Sequence, residues 1–457
     1  MEQNVSLENF GVRCMRLKTL AATILLLLLM SSPGYAGNGL PNPVSSVNPS
    51  GTMSTYSTAG PIDVGNAFFQ NLGTNGRTCN SCHVSSNAWT ISPVEVQARF
   101  RATGGTDPIF RPVDGSNCPS ADVSTVAARN VAYSQLLNKG LIRISIATPT
   151  GADFQITQID DPYNCPQTTA GQPAMYRRPL PATNLRFLTT VMWDGREPSL
   201  MHQSMDATLG HAEAAVAPTT EQQQQIVDFE TAIFTAQMND NNAGVLTAKG
   251  AGGGPITLSQ QQFYTGINDA LGGDPTRASF NRVAMTIYEK WLNSPSPARA
   301  SIARGEDLFN NLPITIEGVA GLNDLPGMLS FVGFCTTCHD SPNVGNHSLP
   351  LAINIGITDY PARPGLDISG LPVYTIQCTN GTTTQTTDPG RAMITGHCVD
   401  IGKTKGPILR ALAARAPYFH NGSAKTLRDA VEFYESRFHL GLTEQQKQDL
   451  VAFLQTL

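Results

Sequence analysis

Two short segments of this chain share one arrangement of cysteine and histidine. They read Cys79-Asn-Ser-Cys82-His83 and Cys335-Thr-Thr-Cys338-His339. Two cysteines at this spacing can form two thioether bonds to a haem, and the adjacent histidine can then bind its iron. A redox dithiol or half of a zinc site would not need that histidine. The sequence therefore predicts two covalently bound c-type haems, with His83 and His339 as the proximal iron ligands.

A basic and then apolar segment near the start of the chain predicts export. Met15-Arg16-Leu17-Lys18 precedes an apolar run from Thr19 to Met30, and Gly34-Tyr35-Ala36 offers a small-residue cleavage site. The apolar run is shorter than the roughly 20 residues that a membrane-spanning helix needs. We therefore expect residues 1–36 to be a signal peptide and the mature protein to lie in the periplasm. An uncleaved membrane anchor is the alternative.

The remaining cysteines agree with an oxidising compartment. Of nine cysteines, Cys14 would leave with the signal peptide and four would hold haem. An even number then remains, which suggests two disulfides. The most economical pairing is Cys118–Cys165 and Cys378–Cys398, and free buried thiols are the alternative.

The overall charge is mildly acidic. The chain has 30 Lys and Arg against 35 Asp and Glu, for a formal net charge of −5. This balance argues against nucleic acid as a partner and permits a basic electron donor. After the signal peptide, no segment is apolar and long enough to be expected to span a membrane.

The elements that position the haem motifs follow a degenerate internal repeat, because four residues recur 240 positions later at the same offsets. These are Gly65, Phe69, Asn71 and Leu72, which recur as Gly305, Phe309, Asn311 and Leu312. A repeat of helix, loop and haem motif predicts two cytochrome c-like haem domains in a mainly α fold, with long irregular loops and little sheet. Helices are expected at residues 222–237, at 275–292 and from a capping box at Thr443 to Leu457.

The expected division of the chain follows from these elements and from its composition. The segments are a flexible lead-in at 37–60, an N-terminal haem domain at 61–242 with an insertion at 103–181, a Gly-rich linker at 243–274, and a C-terminal haem domain at 275–457. The insertion is rich in Pro and Gly, and the sequence alone does not predict how it folds.

Two further segments, taken with the haem motifs, indicate a function. Trp193-Asp194-Gly195-Arg196 is followed by Gln203, and Pro407-Ile408-Leu409-Arg410 leads into Pro417-Tyr418-Phe419-His420. Together with the two pentads they resemble the bacterial di-haem cytochrome c peroxidase family, which includes the MauG-type enzymes. The resemblance covers nearly all of the chain after the signal peptide, except the insertion and the Gly-rich linker.

The resemblance implies that the N-terminal haem domain is peroxidatic and that the C-terminal one transfers electrons. It also implies a catalytic role for four residues near the N-terminal haem. Trp193 matches the tryptophan that lies between the haems and couples them. Offsets of ten and twenty residues from it give Gln203, which would orient peroxide, and Glu213, which would be a desolvated acid–base. His211 is a second proton carrier or an iron ligand. The alternative for Trp193 is that it is a buried core residue. The alternative for each of the others is that it is a solvated polar residue.

One absence bears on how the first haem works. Many di-haem peroxidases have a histidine soon after the first haem motif, and it blocks the iron until the other haem is reduced. Between His83 and His202 this chain has no histidine. We therefore expect the first haem to be open without reductive activation, as in MauG, unless His202 or His211 reaches it.

The resemblance also implies ligands for the second haem. Gated peroxidases use a methionine there, but no methionine follows Met393, and Tyr434 stands at the matching place. Tyrosine is the residue type that MauG uses. Tyr434 is thus the predicted sixth ligand of the second iron, and Met393, His397 and His420 are the alternative ligands. The other possibility is that Tyr434 is a packed core residue and not a ligand.

Three further expectations concern the surroundings of the haems. Arg410 is expected to pair with a haem propionate, and His420 to pack near the haem edge or the domain interface. The family binds calcium between its domains, so calcium is a further cofactor that the resemblance implies. Arg177 and Arg178 stand where its asparagine ligand is expected, although Asn184 is near.

The leading hypothesis is a periplasmic, cytochrome-c peroxidase-like oxidoreductase. It would reduce hydrogen peroxide to water with electrons from a small cytochrome c or a cupredoxin. One alternative is a MauG-type enzyme that oxidises a protein or organic substrate through high-valent haem, and rubber-cleaving di-haem oxygenases are a remoter relative. Another is a non-catalytic di-haem electron-transfer protein, which would need no polar distal pocket.

Overall fold

Short helices and short strands alternate along this protein. The computed structural model describes residues 39–342 and 351–457. The predicted signal peptide, with Cys14, lies outside the described residues. The α-helices are α1 Pro93–Thr103, α2 Val126–Ala132, α3 Ser134–Lys139, α4 Leu200–Gly210, α5 Thr220–Ala232, α6 Pro255–Ser259, α7 Pro297–Asn311, α8 Cys335–Cys338, α9 Ala392–Thr395, α10 Leu427–Phe438 and α11 Glu444–Gln455.

The strands are spread over the whole described chain. They are β1 Gly39–Leu40, β2 Val44–Asn48, β3 Gly51–Ser57, β4 Ile62–Asp63, β5 Ile142–Ser145, β6 Phe154–Asp160, β7 Ala174–Arg177, β8 Ile233–Asp240, β9 Gly244–Val245, β10 Ile314–Glu317, β11 Ser330–Gly333, β12 Val373–Cys378 and β13 Thr383–Thr386. Single-turn 3-10 helices occur at Ala67–Phe69, Cys79–Ser81, Ser85–Asn87, Leu185–Phe187, Ala248–Gly250, Glu289–Trp291, Cys398–Asp400 and Leu412–Ala414.

These strands overturn the prediction of a mainly α fold with little sheet. In the described residues they form five small sheets, with strand orders β2-β3-β8-β9, β13-β12-β6, β1-β4, β5-β7 and β10-β11. Strand β6 of the predicted insertion pairs antiparallel with β12 of the C-terminal half. Such partners are far apart in sequence, so no local hydrophobic period reveals them.

The predicted flexible lead-in at 37–60 is also wrong for the residues that the structure describes. β2 and β3 form a hairpin, and Ser50 N donates to Asn48 Oδ1 at 3.0 Å in its turn. β3 then pairs with β8, and Met53 is buried. The Ser- and Thr-rich composition of this segment therefore belongs to a paired strand rather than to a loose leader.

Two predicted helices differ from the structure. The helix expected at 222–237 ends at Ala232 and is followed directly by strand β8. Ile226, Phe229 and Ile233 are all buried, and their spacing continues the helical pattern past its real end. The helix expected at 275–292 is irregular except for the single turn Glu289–Trp291, and the long helix α7 begins only at Pro297.

The C-terminal helix agrees with its prediction. Thr443 and Gln446 form the capping box of α11, and Leu450 and Phe453 are buried. α11 crosses α7 so closely that a Cβ on Gly305 would lie 2.0 Å from the carbonyl oxygen of Asp449. Gly305 is therefore needed where the two backbones meet, beside the second haem motif.

Each haem motif adjoins a hydrophobic core of its own. Around the first pentad the buried cluster includes Phe68, Trp89 and Phe229. Around the second it includes Phe309 and Phe453, with Cys335 packed against it. Residues Leu40–Leu457 form one compact unit, and the predicted boundary between two haem domains stays a prediction.

Both predicted disulfides are present. Cys118 is bonded to Cys165 inside the insertion, and Cys378 is bonded to Cys398. The first closes a loop within the insertion, and the second joins the last residue of β12 to Cys398, with β13 lying between the two cysteines. Over the parts of the chain that the structure describes, there is no helix of sufficient length and apolar character to cross a membrane.

Candidate haem sites

The first haem motif opens into a cavity of about 150 Å³. A single helical turn at Cys79–Ser81 places Cys79, Cys82 and His83 in its wall, and neither cysteine is in a disulfide. His83 Nδ1 lies 3.0 Å from the carbonyl oxygen of Trp89. Burial lowers the pKa of His83 to about 4, so its imidazole is neutral. With Nδ1 donating to that carbonyl, the lone pair of Nε2 is left for a metal.

The second haem motif lines a larger cavity of about 240 Å³. Helix α8 places Cys335 and Cys338 in its wall, again outside any disulfide, and His339 follows directly. His339 Nε2 lies 3.4 Å from the hydroxyl oxygen of Tyr434, which α10 supplies from the facing side. Burial raises the pKa of Tyr434, and a bound cation would oppose that shift.

The three other ligand candidates for the second iron lie outside this cavity. Met393 is buried in a separate cluster around β12. The side chain of His397 is 64% exposed beside Asp153. His420 is buried and its ring lies 5.8 Å from that of Trp193. Of the four predicted candidates, the structure thus brings Tyr434 to His339.

One wall is common to both cavities. Trp193, Arg178, Lys405 and residues 179–181 line the first cavity and the second. The indole nitrogen of Trp193 donates to the carbonyl of Arg178 at 2.9 Å, and its own carbonyl accepts from the backbone N–H of Lys405 at 2.9 Å. Trp193 is therefore fixed by backbone contacts between the two haem motifs.

A buried charge network lies behind Trp193. The Arg177 guanidinium donates to Asp388 at 2.7 Å and to Asp194 at 2.5 Å, and all three side chains are almost fully buried. Arg177 holds the pKa of both carboxyls below the usual range, although burial alone would raise it. His420 lies 3.6 Å from Asp388. This network joins the segment after Trp193 to the C-terminal half.

The structure brings only part of the predicted distal set to the first cavity. Gln203 and His211, on and just after α4, are in its wall. Glu213 is exposed and outside the wall, and its carboxylate accepts from Asn75 Nδ2 at 2.9 Å. The expected desolvation of Glu213 is therefore not observed. His202 is also exposed and is bonded to Glu197, so it does not reach this cavity.

Two acidic side chains in this cavity wall were missed from the sequence. Asp114, from the insertion, is buried between Arg77 Nη1 and His211 Nδ1, at 2.6 Å from each. Glu230 on α5 is buried with one carboxyl oxygen unbonded. Burial raises the pKa of Glu230 to about 8. No sequence motif marks either residue, because each reaches the cavity only through the tertiary fold.

The shared wall contains buried cationic side chains, and their need for a negative partner bears on whether a haem fits here. Arg178 and Lys405 are buried and donate only to carbonyl oxygens among the described residues. Burial lowers the pKa of Lys405 to about 7 and that of Arg178 to about 9. Buried cations without a counter-charge are costly. The carboxylates of a bound haem would supply that charge, so the residues present fit the group.

A third cation extends this set into the second cavity. Arg415 lines it, and its Nε is enclosed without a hydrogen-bond partner. The predicted propionate partner, Arg410, is placed elsewhere. It is buried outside both walls, and its guanidinium donates to the carbonyl of Pro342.

The predicted calcium ligands are engaged otherwise. The amide of Asn184 bonds to the backbone of Thr235 through both its oxygen and its nitrogen. Within the described ranges, a group of side chains close enough to hold a metal occurs at Glu197, His202 and Asp206. That group lies on and before α4, away from the expected position.

This chain is similar to several cytochrome-c peroxidases. No family model matches the chain. It is 32% identical over 217 residues to cytochrome-c peroxidase IdrP1 of Denitromonas iodatirespirans, which is 43% of this chain and 54% of that protein. It is 25% identical over 210 residues to cytochrome c551 peroxidase of Nitrosomonas europaea, which is 44% of this chain and 51% of that protein. The chain spans about half the length of these curated relatives.

Solved structures also align over most of the chain, and one of them covers more than nine-tenths of it. It is described as a MauG-like protein associated with microbial copper homeostasis, and the alignment covers 93% of this chain and 95% of that one. The sequence identity is 16% and the TM-score is 0.37. At these values the alignment is not evidence for a shared function.

Proposed function

We propose that this chain belongs to the bacterial di-haem cytochrome c peroxidase family and is a periplasmic enzyme that reduces hydrogen peroxide to water. Two electrons would come from a small cytochrome c or a cupredoxin, and with two protons they convert one peroxide into two waters. The observation that carries the proposal is the shared wall: Trp193 lies between two cavities, each of which contains a Cys-x-x-Cys-His motif.

Each cavity would hold one covalently attached haem c. His83 and His339 would bind the two irons, and the cations Arg178, Lys405 and Arg415 would pair with the haem carboxylates. When bound, the haems supply the redox chemistry. The neutral imidazole of His83, with Nδ1 tied to the Trp89 carbonyl, is suited to bind metal through Nε2.

The residues of the first cavity would handle peroxide and its protons. Gln203 in the wall can donate a hydrogen bond that orients peroxide. His211 is in the same wall and can carry a proton. No histidine of the described residues other than His83 and His211 lines this cavity. We accordingly propose that its haem is open without prior reduction, provided that His211 does not bind the iron.

A second function is favoured by one contact. The 3.4 Å approach of Tyr434 to His339 suits tyrosine as the second ligand of the C-terminal iron. A phenolate ligand would lower the reduction potential of that haem and make it a poorer electron acceptor. This would suit a MauG-type enzyme that oxidises a protein or organic substrate.

The test is peroxide consumption by the purified holoprotein with a reduced small cytochrome c or cupredoxin. We expect two electrons to be taken per peroxide and Trp193→Phe to slow turnover at least tenfold. Trp291→Phe is the matched control, because Trp291 is also buried but packs in the C-terminal core. If the wild type consumed no peroxide, the proposal would be overturned and the hypothesis of a non-catalytic electron-transfer protein would remain. Peroxide consumption that needs an organic substrate instead of a donor would favour the MauG-type function.

A further inference from the structure

Arg77, Asp114 and His211 form a hydrogen-bonded row in the wall of the first cavity. Arg77 Nη1 donates to Asp114 Oδ1 at 2.6 Å, and Asp114 Oδ2 lies 2.6 Å from His211 Nδ1. Arg77 and Asp114 are buried, whereas the side chain of His211 is 36% exposed. The row therefore runs from the protein interior to a histidine that is in contact with both the cavity and solvent.

The position of His211 is fixed at its backbone as well as at its ring. Its carbonyl accepts from Asn75 Nδ2 at 2.9 Å and from Arg77 Nη1 at 3.1 Å. It also ends helix α4, with its N–H donating to the carbonyl of Ala207. Because the ring and the backbone are both held, His211 has little freedom to turn away from the cavity.

The charge state of Asp114 suits a partner of an imidazole. Burial alone would raise the pKa of Asp114, but Arg77 and His211 outweigh that effect and hold it below the usual range. Asp114 is thus a carboxylate and accepts the Nδ1 proton of His211. The Nε2 lone pair of His211 is then left to accept a proton.

We propose that Asp114 is a positioning residue that keeps His211 ready to take a proton from peroxide in this cavity. Arg77 in turn fixes Asp114. His211 Nε2 accepts the proton of one peroxide oxygen and returns it to the other oxygen as the O–O bond breaks. Two electrons from the donor protein and two protons complete the conversion to two waters. This deepens the proposed function and rests on it.

Under this proposal the insertion supplies a functional residue, Asp114. His211 takes the acid–base role that was predicted for Glu213. Asp114 belongs to residues 103–181, which lie outside the family resemblance. Glu213, in contrast, is exposed and outside the cavity wall. Because His211 is partly exposed, it can also exchange its proton with solvent.

The first test compares Asp114→Asn with wild type in two assays on the oxidised holoprotein. One assay is peroxide turnover with the reduced donor, where kcat should fall between about 10²-fold and 10⁴-fold with little change in KM. The other is the association rate of hydrogen cyanide, which binds as cyanide after giving its proton to a nearby base. That rate should fall at least tenfold. Asp107→Asn is the control, since Asp107 pairs with Arg99 outside the cavity wall.

Haem content and far-UV circular dichroism would reveal whether Asp114→Asn folds poorly. In that case two further variants still test the proposal. His211→Gln leaves the Arg77–Asp114 pair intact and should lose both rates to a similar extent. Asp114→Glu restores a carboxylate and should recover part of both. Unchanged cyanide and peroxide rates in either Asp114→Asn or His211→Gln would overturn the proposal. So would a low-spin ferric signal that only His211→Gln abolishes, because His211 would then be an iron ligand.

The cyanide assay separates this proposal from the proposed function. If wild type consumes no peroxide with any reduced donor, the proposed function fails. The effect of Asp114 on cyanide association would still show whether the row controls a proton acceptor in the cavity.

Discussion

Replacing Arg177 by methionine should destabilise the protein strongly and in a pH-dependent way. Arg177 contacts Asp388 through two nitrogens, at 2.7 and 2.9 Å, and Asp194 through a third. Both carboxylates are at most 2% exposed. Removing one partner of a buried ion pair costs about 3–5 kcal/mol, because the other charge stays buried without compensation. Asp194 keeps one cation, Arg196 at 3.1 Å, whereas Asp388 keeps none as close.

The pH dependence follows from the pKa of the two carboxyls. In wild type Arg177 holds both below the usual range. That contribution to stability is present above the unfolded pKa of about 3.9 and is lost only as pH falls through the lower folded values. Without Arg177, burial raises the folded pKa above the unfolded value. The variant then loses stability as pH rises from about 4.

The assay is urea unfolding followed by far-UV circular dichroism at pH 5 and pH 8. We expect Arg177→Met to lose about 3–5 kcal/mol at pH 8 and less at pH 5. Arg363→Met is the matched control, because its ion pair with Asp359 is about one-third exposed and should contribute less than about 1 kcal/mol at both pH values. A loss under 1 kcal/mol at pH 8, or a larger loss at pH 5 than at pH 8, would refute the reasoning.

Four other outcomes are expected. The intact mass under denaturing conditions should exceed that of the polypeptide by two haems, and by one haem when both cysteines of one pentad are replaced by serine. Breaking the Cys378–Cys398 disulfide with paired serines should cost about 3 kcal/mol in urea unfolding, from the entropy of a loop of this size. Wild type should lose stability as pH rises from about 5 to 8, because the Glu230 carboxyl ionises in the unfolded chain while burial, which raises its pKa to about 8, keeps it protonated in the folded protein; Glu230→Gln should remove that loss, whereas the exposed control Glu289→Gln should not. Tyr434→Phe should change the optical spectrum of the second ferric haem and leave the first unchanged, and a spectrum identical to wild type would rule out tyrosine ligation.

Local chemistry in this chain could be predicted from its sequence. The haem pentads, the capping box at Thr443 and the parity of the remaining cysteines depend on neighbouring residues or on simple counts. The two disulfides and the C-terminal helix formed as predicted. The strand content was not predicted, because β6 pairs with β12, which lies far from it in the sequence, and no local pattern links the two segments.

Some of the residues predicted for the site line the first cavity, and others do not. Gln203 and His211 lie in the first cavity, but the count of twenty residues from Trp193 fails at Glu213. There the chain adopts a positive φ of 52° and leaves the cavity. Asp114 and Lys405 could not be found in this way, since their role depends on burial and on neighbours from distant segments.

The most direct test of this account is the spectrum of the fully oxidised protein before and after one equivalent of hydrogen peroxide. Optical and electron paramagnetic resonance spectra together distinguish a haem with an open coordination site from one with two protein ligands. The account predicts a high-spin ferric signal from the His83 haem that changes at once with peroxide, before any reductant is added. Two low-spin signals that stay unchanged until one electron is supplied would contradict it and would indicate a gated first haem.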